Sequence, residues 1–507
     1  MKRLRLPRVV LYLWHHRRLA AGVTTGIAAL LGFIIAHTMP RGPATSVQAL
    51  IAIATSLIVG WIAGAILRSR WAMLIAPIAY LIAIELGRFN LIGPTVGAIR
   101  LDEPFGILAL ILGRGFHGLV GVLPMMLGCA WGIAIANHFM SGTASIRLGR
   151  STIAASVGLL ILTLWIALPA STPPILGTNG QPLAGSIAKL EKVELGGKAQ
   201  WIMLRGHRID QPILLYLSGG PGQSDLPYSR VLFDDLAQNF TVVSWDQRGT
   251  GKSYMSLDPI PTLTLEQAIA DTIELTEYLR SRFHQPKIYL LGESWGSTLG
   301  VLAVQRRPDL YYAWIGSGQM VSQRETDRRL YHDLLALAAK ENDSALAAKM
   351  QAYGEPPYAD SPYANAFVMQ QYERLSPPYT PPQSYIQRGS AAHLGPWGIF
   401  GQEYNLVEKV NVLRGLIDMF SVMYPQLQTI DFRQTVKQLE VPVYLLDGAA
   451  ELKARRDLAL EWFNALKAPR KQLFRFENAG HSVAFEQFET FSRIMTETIL
   501  PETNLNE

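Results

Sequence analysis

Five apolar runs crowd the first third of the chain: Leu19 to Met39, Ala49 to Leu67, Trp71 to Leu86, Leu119 to Ala136 and Ile153 to Leu168. Each is about 16 to 21 residues long, close to the roughly 20 that a helix needs to cross a bilayer. Lipid offers no hydrogen bonds to the backbone, so runs of this kind are restricted to helices. Residues 1–170 are therefore expected to form an all-α transmembrane region of about five helices. The basic residues Lys2, Arg3, Arg5, Arg8, Arg17 and Arg18 precede the first run and should hold the N-terminus in the cytoplasm. Five crossings then place the C-terminal half outside the cytoplasm.

One further apolar run, Phe105 to Gly113, fits a re-entrant segment, half of a long helix, or a sixth crossing that would reverse this side. Arg114 and His117 follow it, and ionisable groups at membrane depth are candidates for function, although an arginine near a helix end can also snorkel to the interface. Gly22/Gly26 and Gly60/Gly64 have the spacing that lets helices approach closely.

The charge distribution agrees with this division. Of 46 Lys+Arg and 40 Asp+Glu, residues 1–170 hold 14 and three, a net charge of +11, while the remainder carries −5. The overall +6 thus belongs to the apolar half, and the acidic half has no basic stretch interleaved with aromatics, which argues against nucleic-acid binding. Cys129 is the only cysteine, so no intrachain disulfide or cysteine metal site is expected; no cofactor or metal is expected at all.

Residues 171–186, rich in Pro, Gly, Ser and Thr, read as a linker. Strand patterns follow at Lys189 to Leu195, Gln200 to Leu204, Ile213 to Leu217, Thr241 to Trp245, Lys287 to Leu291, Tyr312 to Gly316, Val441 to Leu446 and Gln472 to Phe476. Helical periodicity fills many of the gaps, as in Thr264 to Arg282, which opens on a Thr264/Gln267 capping box. Alternating strands and helices imply an α/β domain with a mostly parallel, doubly covered sheet. Its core is expected over 187–319 and 439–507, interrupted by a cap insertion over 320–438 where the alternation fails and Pro and Tyr accumulate.

Within KIYLLGESWGSTLG, Lys287 to Gly300, a strand pattern runs into Gly292-Glu293-Ser294-Trp295-Gly296 and then into residues that can start a helix. Such a sharp turn presents its central serine at the sheet's edge, making Ser294 a candidate nucleophile. A serine hydroxyl needs a base, and the base an orienting acid. His481 follows a strand pattern in FENAGHSVAF and is the candidate base, while VPVYLLDGAAE supplies Asp447 and Glu451 as candidate acids. Backbone donors for a developing oxyanion are expected from Trp295 and from the SGGPG loop at 218–222, with Gly220 preferred and Gly219 the alternative. The stretch DQRGTGKS, 246–253, ends like a phosphate-binding loop, but Asp246 stands where such a loop requires glycine. No nucleotide is expected; instead Asp246 and Arg248 should pair and brace a turn.

Together, SGGPG, DQRGTGKS, GESWGS (292–297), GAAE (448–451) and AGHS (479–482) resemble the motif series of the proline iminopeptidase-like branch of the α/β-hydrolases, in the same order, across about Ser186 to Phe491. The resemblance implies an α/β-hydrolase fold with a helical cap, Ser294 as nucleophile, His481 as base and Glu451 as acid. Two positions depart from the family pattern: Ser218 replaces the loop histidine, and Glu451 replaces the usual aspartate. The resemblance suggests a membrane-anchored aminopeptidase acting on a small peptide or amide, with Glu403 as a candidate acid for the substrate's amine. An esterase or lipase-like hydrolase is the alternative, and a non-catalytic sensor with a degenerate triad a third reading. The expected partners are a small-molecule or peptide substrate and the lipid bilayer.

Overall fold

In the computed structural model, which describes residues 8–141, 146 and 148–503, the N-terminal apolar runs form α1 (Arg8–His15), α2 (Arg17–Thr38), α3 (Ser46–Leu67), α4 (Ala72–Gly87), α5 (Pro104–Leu110), α6 (Phe116–Ser141) and α7 (Arg150–Ala167). Lys2, Arg3 and Arg5 lie outside the described residues. Among the described residues, four helical segments are long and apolar enough to cross a membrane: Arg17–Thr38, Ser46–Leu67, Pro104–Met140 and Arg150–Ala167. The expected span at Trp71 to Leu86 is the shorter α4, of 16 residues.

The ambiguous run at Phe105 to Gly113 is half of a long helix. A π-helical turn at Ile111–Gly115 joins α5 to α6 in one segment of 37 residues. The N-terminus of α3 is set by chemistry the sequence carries: Thr45 Oγ1 accepts Gln48 N–H at 3.2 Å, and Gln48 Oε1 accepts Ala44 N–H at 2.8 Å. These bonds use donors a helix start otherwise leaves unmade.

The two glycine pairs behave differently. A Cβ on Gly60 or Gly64 would run into the carbonyls of Met125 and Cys129 on α6, whereas Gly22 and Gly26 face open space. Gly128 and Gly132 press back on the carbonyls of Leu57 and Trp61, so α3 and α6 meet backbone to backbone. Gly64→Leu is expected to cost about 2 kcal/mol or more by overpacking, read as a lowered Tm in detergent, while Gly26→Leu leaves Tm unchanged.

The chain divides into two compact units, residues 1–169 with 405–410, and residues 170–404 with 411–507. The second unit holds an eight-stranded sheet: β1 (Ile187–Leu195), β2 (Lys198–Gly206), β3 (Ile213–Leu217), β4 (Thr241–Asp246), β5 (Ile288–Glu293), β6 (Tyr311–Ser317), β7 (Val443–Gly448) and β8 (Lys471–Phe476). All eight coincide with the strand patterns read from the sequence. Their order is β1-β2-β4-β3-β5-β6-β7-β8. The pairs β1/β2 and β2/β4 are antiparallel and the rest parallel. Strand β3 (ILLYL) is buried at every position, as expected of a strand covered on both faces.

Short α8 (Leu226–Leu232) follows β3, α9 (Leu265–Phe283) precedes β5, and α10 (Trp295–Arg306) leaves it. Thr264 caps α9 by accepting Gln267 N–H at 3.1 Å, but the Gln267 side chain turns to Asp271 instead of closing the expected box. Between β6 and β7 the chain forms α11 (Gln323–Glu341), α12 (Ser344–Tyr353), α13 (Ser361–Met369), α14 (Tyr372–Leu375), α15 (Gln383–Ala391), α16 (Leu406–Met423) and α17 (Phe432–Thr435). Leu330, Leu334, Leu346 and Met350 of α11 and α12 bury one core with Leu452 and Ala454. That core fixes the loop after β7, on which Glu451 lies, before α18 (Lys453–Ala465) begins.

Asp246 and Arg248 do not pair as expected. Arg248 makes a two-pronged ion pair with Asp271 of α9, at 2.9 and 3.0 Å, and also donates to the Leu195 carbonyl. It thereby ties the β1/β2 hairpin to α9. Asp246 instead accepts Lys252 N–H at 2.8 Å and the Tyr404 hydroxyl at 3.0 Å. Burial pushes its carboxyl up to about 7, against the lowering pull of those two bonds, because an enclosed carboxylate loses its hydration. The sequence shows the two charges two residues apart, but not that Arg248 reaches an acid 23 residues downstream.

Candidate active site

Ser294 sits at the junction of β5 and α10 with φ 53° and ψ −116°, a conformation a serine occupies only when its surroundings impose it. The imposition is local. A Cβ on Gly296 would strike the Leu217 carbonyl at the end of β3, so only glycine lets the turn close against the neighbouring strand. Ser297 Oγ caps the bend, donating to Ser294 O at 2.6 Å and accepting Met320 N–H at 2.9 Å.

His481 lies on the loop after β8, and its Nδ1 is hydrogen-bonded to Glu451 Oε2. The other carboxylate oxygen, Oε1, accepts Leu452 N–H at 2.8 Å and faces Arg455 Nη1 at 3.7 Å. Burial alone would raise the Glu451 carboxyl. The charge and hydrogen bond of His481, the Arg455 guanidinium and the Leu452 N–H together hold it below its usual range. Asp447, the alternative acid, lies at the end of β7 facing Arg475 Nη1 at 3.6 Å, and burial raises its carboxyl. The structure thus brings Glu451, not Asp447, to the histidine.

Two contacts draw the histidine loop to the serine turn. Ser294 N–H donates to Ser317 O at 3.1 Å, and the next residue, Gly318, packs against the His481 ring, where a Cβ would lie 2.9 Å from Nδ1. Ser482 Oγ donates to Glu293 Oε1 at 2.8 Å, joining the residue after the histidine to the residue before the serine.

In the SGGPG loop, Gly219 is the glycine that faces Ser294: a Cβ there would lie 3.3 Å from Ser294 Cβ. Gly220, preferred from sequence, has φ 112° and is turned towards Gly222 N and Gln223 N. Ser218, in the place of the family's histidine, donates from Oγ to Gln223 O at 3.2 Å. Trp295 is buried, its indole N–H donating to Gln247 Oε1 at 2.9 Å, while Gln247 Nε2 donates to Ser218 O at 3.3 Å. Gln247 therefore couples the residue after the serine to the start of the glycine loop. No local pattern signals this role, since the glutamine lies within a motif whose signal is carried by its charges and glycines.

Glu403 does not stand free in the cap. It is fully buried, its Oε1 takes Arg230 Nε, and its backbone carbonyl accepts Lys252 Nζ at 3.2 Å. The structure thus commits Glu403 Oε1 to Arg230 and leaves Oε2 without a hydrogen-bond partner among the described residues. Other buried acids surround the elbow. Asp225 accepts the Tyr216 hydroxyl at 2.9 Å, and burial pushes it up to about 6. Glu486 accepts Gly480 N–H at 2.8 Å. Burial, and next the charge of Asp225, raise Glu293 far above the carboxylate range.

Gln247→Leu would leave the buried Trp295 N–H without an acceptor, which costs about 1–3 kcal/mol. If the displaced groups are the expected oxyanion donors, kcat should fall about 10- to 100-fold with KM little changed, because such donors act on developing charge and not on ground-state binding. Steady-state kinetics of the folded variant provides the check.

This sheet order, the strained turn between strand and helix and the chain order of serine, acid and histidine define an α/β-hydrolase. Residues 212–488 match the alpha/beta hydrolase fold family, and the chain belongs to it. Among known proteins, it is 30% identical over 315 residues to the probable aminopeptidase YbaC of Bacillus subtilis, covering 97% of that protein and 62% of this chain. It is 25% identical over 313 residues to the proline iminopeptidase of Lactobacillus crispatus, covering 95% of that protein and 60% of this chain. Among solved structures, the proline iminopeptidase-related protein of Thermus thermophilus aligns with a TM-score of 0.43 at 21% identity, over 98% of its chain and 62% of this one.

Proposed function

We propose that the protein is a membrane-anchored serine hydrolase of the aminopeptidase type, cleaving small peptides or amides through an acyl-enzyme. The observation that carries this reading is the hydrogen bond between His481 and Glu451 beside a serine held at positive φ. Ser294 attacks the scissile carbonyl and its proton passes to His481. Glu451 fixes the imidazole tautomer and stabilises the imidazolium. The oxyanion is received by Trp295 N–H and by an N–H of the glycine loop, with the Gly219 side of that loop nearest the serine. His481 then protonates the leaving amine, and water, activated by the same histidine, releases the acid.

The likeness to aminopeptidases favours amide over ester substrates. So do two buried acids at the elbow: burial raises Asp225 and Glu293, and a substrate ammonium would stabilise their ionised forms. Membrane anchoring is supported by the four long apolar helices. With α4 as a fifth crossing and the N-terminus in the cytoplasm, the catalytic half lies outside.

The test has two arms. A fluorophosphonate probe should label the wild-type chain and not Ser294→Ala; labelling that survives the substitution would remove the nucleophile assignment. Aminoacyl anilides and peptides should turn over faster than short-chain esters of the same acyl group, whereas turnover of esters alone would make the protein a carboxylic ester hydrolase. Reporter fusions after Leu168 check the side of the catalytic half.

A further inference from the structure

A group of charged side chains in the N-terminal unit takes no part in the hydrolase chemistry. At the last turn of α4, Glu85 receives two arginines. Arg114 binds it with both prongs, Nε to Oε1 at 3.0 Å and Nη2 to Oε2 at 2.9 Å, and Arg88 Nη2 bonds to Oε1. Arg114 also donates to Val96 O at 2.9 Å. It sits in the π-helical turn Ile111–Gly115, an irregularity frequent at functional sites. Two guanidinium groups sharing one carboxylate leave a positive charge. Arg88 is buried, and its Nε has no acceptor among the described residues. Uncompensated charge in such surroundings is costly, so the cluster suits an additional anion.

The same residues form one end of a cleft of about 770 Å³, and the rest of its wall is apolar, with Leu81, Ile111, Leu123 and Met126 among its lining. Those four side chains are exposed, although large and hydrophobic. Gly118 also lines the cleft, and a Cβ there meets nothing within 4 Å. The position along the helix fits a head-group depth. A segment of 37 residues is about 55 Å long at 1.5 Å per residue, against about 30 Å of hydrocarbon. Arg114 stands about 15 Å from its start, level with the end of α4.

We propose that this cleft is a binding site for one anionic phospholipid, with its phosphate on Arg114 and Arg88 and one acyl chain along the apolar wall past Gly118. Glu85 takes the Arg114 fork and Arg88 Nη2, and Arg88 Nη1 donates to Pro40 O at 3.5 Å, so the phosphate is held by the excess guanidinium charge and the remaining N–H groups. The phosphodiester supplies the missing negative charge, and the acyl chain covers the exposed wall. This inference rests on the membrane reading proposed above but not on the hydrolase chemistry.

The full chain would be reconstituted into bilayers with equal parts of phosphatidylglycerol and phosphatidylcholine, extracted in detergent, and its retained lipid counted by native mass spectrometry. One phosphatidylglycerol per chain, enriched about tenfold over phosphatidylcholine, is expected. Arg114→Gln should abolish the enrichment. Gly118→Leu, which keeps both arginines and fills only open space, should abolish retention while the protein stays monodisperse. Equal retention of the two lipids, or unchanged phosphatidylglycerol in Gly118→Leu, would overturn the proposal. Glycerol phosphate stabilising the chain as well as the lipid does would place a soluble phosphate in the site and overturn it too. A chain that fails to float with liposomes would instead sink the membrane reading itself.

Discussion

Ser294→Ala is expected to lower kcat/KM on the best amide substrate by about 10⁴-fold or more, which is about 5 kcal/mol of transition-state stabilisation. The size follows from the role proposed for Ser294 as nucleophile. With the hydroxyl gone no acyl-enzyme can form, and only oxyanion donors and substrate positioning are left to assist direct attack by water. KM should change little, since the hydroxyl contributes to the transition state and not to ground-state affinity. The backbone strain should persist, because residue 294 holds φ 53° whatever its side chain; Tm is expected to stay within a few degrees of wild type. Loss of activity with Tm retained identifies the nucleophile, whereas activity within tenfold of wild type would remove Ser294 from that role.

How far the sequence determined this architecture differs between features. The strands were legible because inner ones, such as ILLYL and the IYLL of β5, are apolar runs bounded by turn residues, while β1 mixes apolar and polar residues. The serine turn was legible because its glycines are demanded by a backbone approach to β3 that no other residue permits. Side chains that reach across the fold were not. Arg248 was expected to answer Asp246, its nearest acid in sequence, yet it pairs with Asp271 on a helix. Glu403 looked like a free cap carboxylate, and only the fold shows its ion pair with Arg230. The apolar half follows the same division. Hydropathy reported its helices, but the continuity of 104–140 through a π turn and the meeting of Glu85 with Arg114 depend on packing between distant segments. Periodicity and local turns are encoded within a few residues, whereas partner choice is decided by which elements the sheet order brings together.

The choice between the two candidate acids yields the second large effect. Glu451→Gln is expected to lower kcat by about 10⁴-fold, because an amide no longer selects the imidazole tautomer that can accept the serine's proton, nor stabilises the imidazolium. Asp447→Asn, at a carboxyl that faces Arg475, should leave kcat within about threefold, a range typical of substitutions outside the reacting groups. Glu451→Asp keeps the charge but withdraws it by about a bond length, and a misplacement of that order costs about 10²-fold. The pH dependence of stability separates a lost charge from a lost fold. Glu451 has its carboxyl held below the ordinary 4.5 in the folded protein, so its ionisation stabilises the fold above that value, and this contribution fades as pH falls through the lower folded-state value. Glu451→Gln has no such proton to take up and should lose less stability between about pH 5 and acid unfolding, as chemical denaturation at several pH values would register. Near-wild-type turnover by Glu451→Gln, together with a collapse in Asp447→Asn, would transfer the role to the strand-end aspartate.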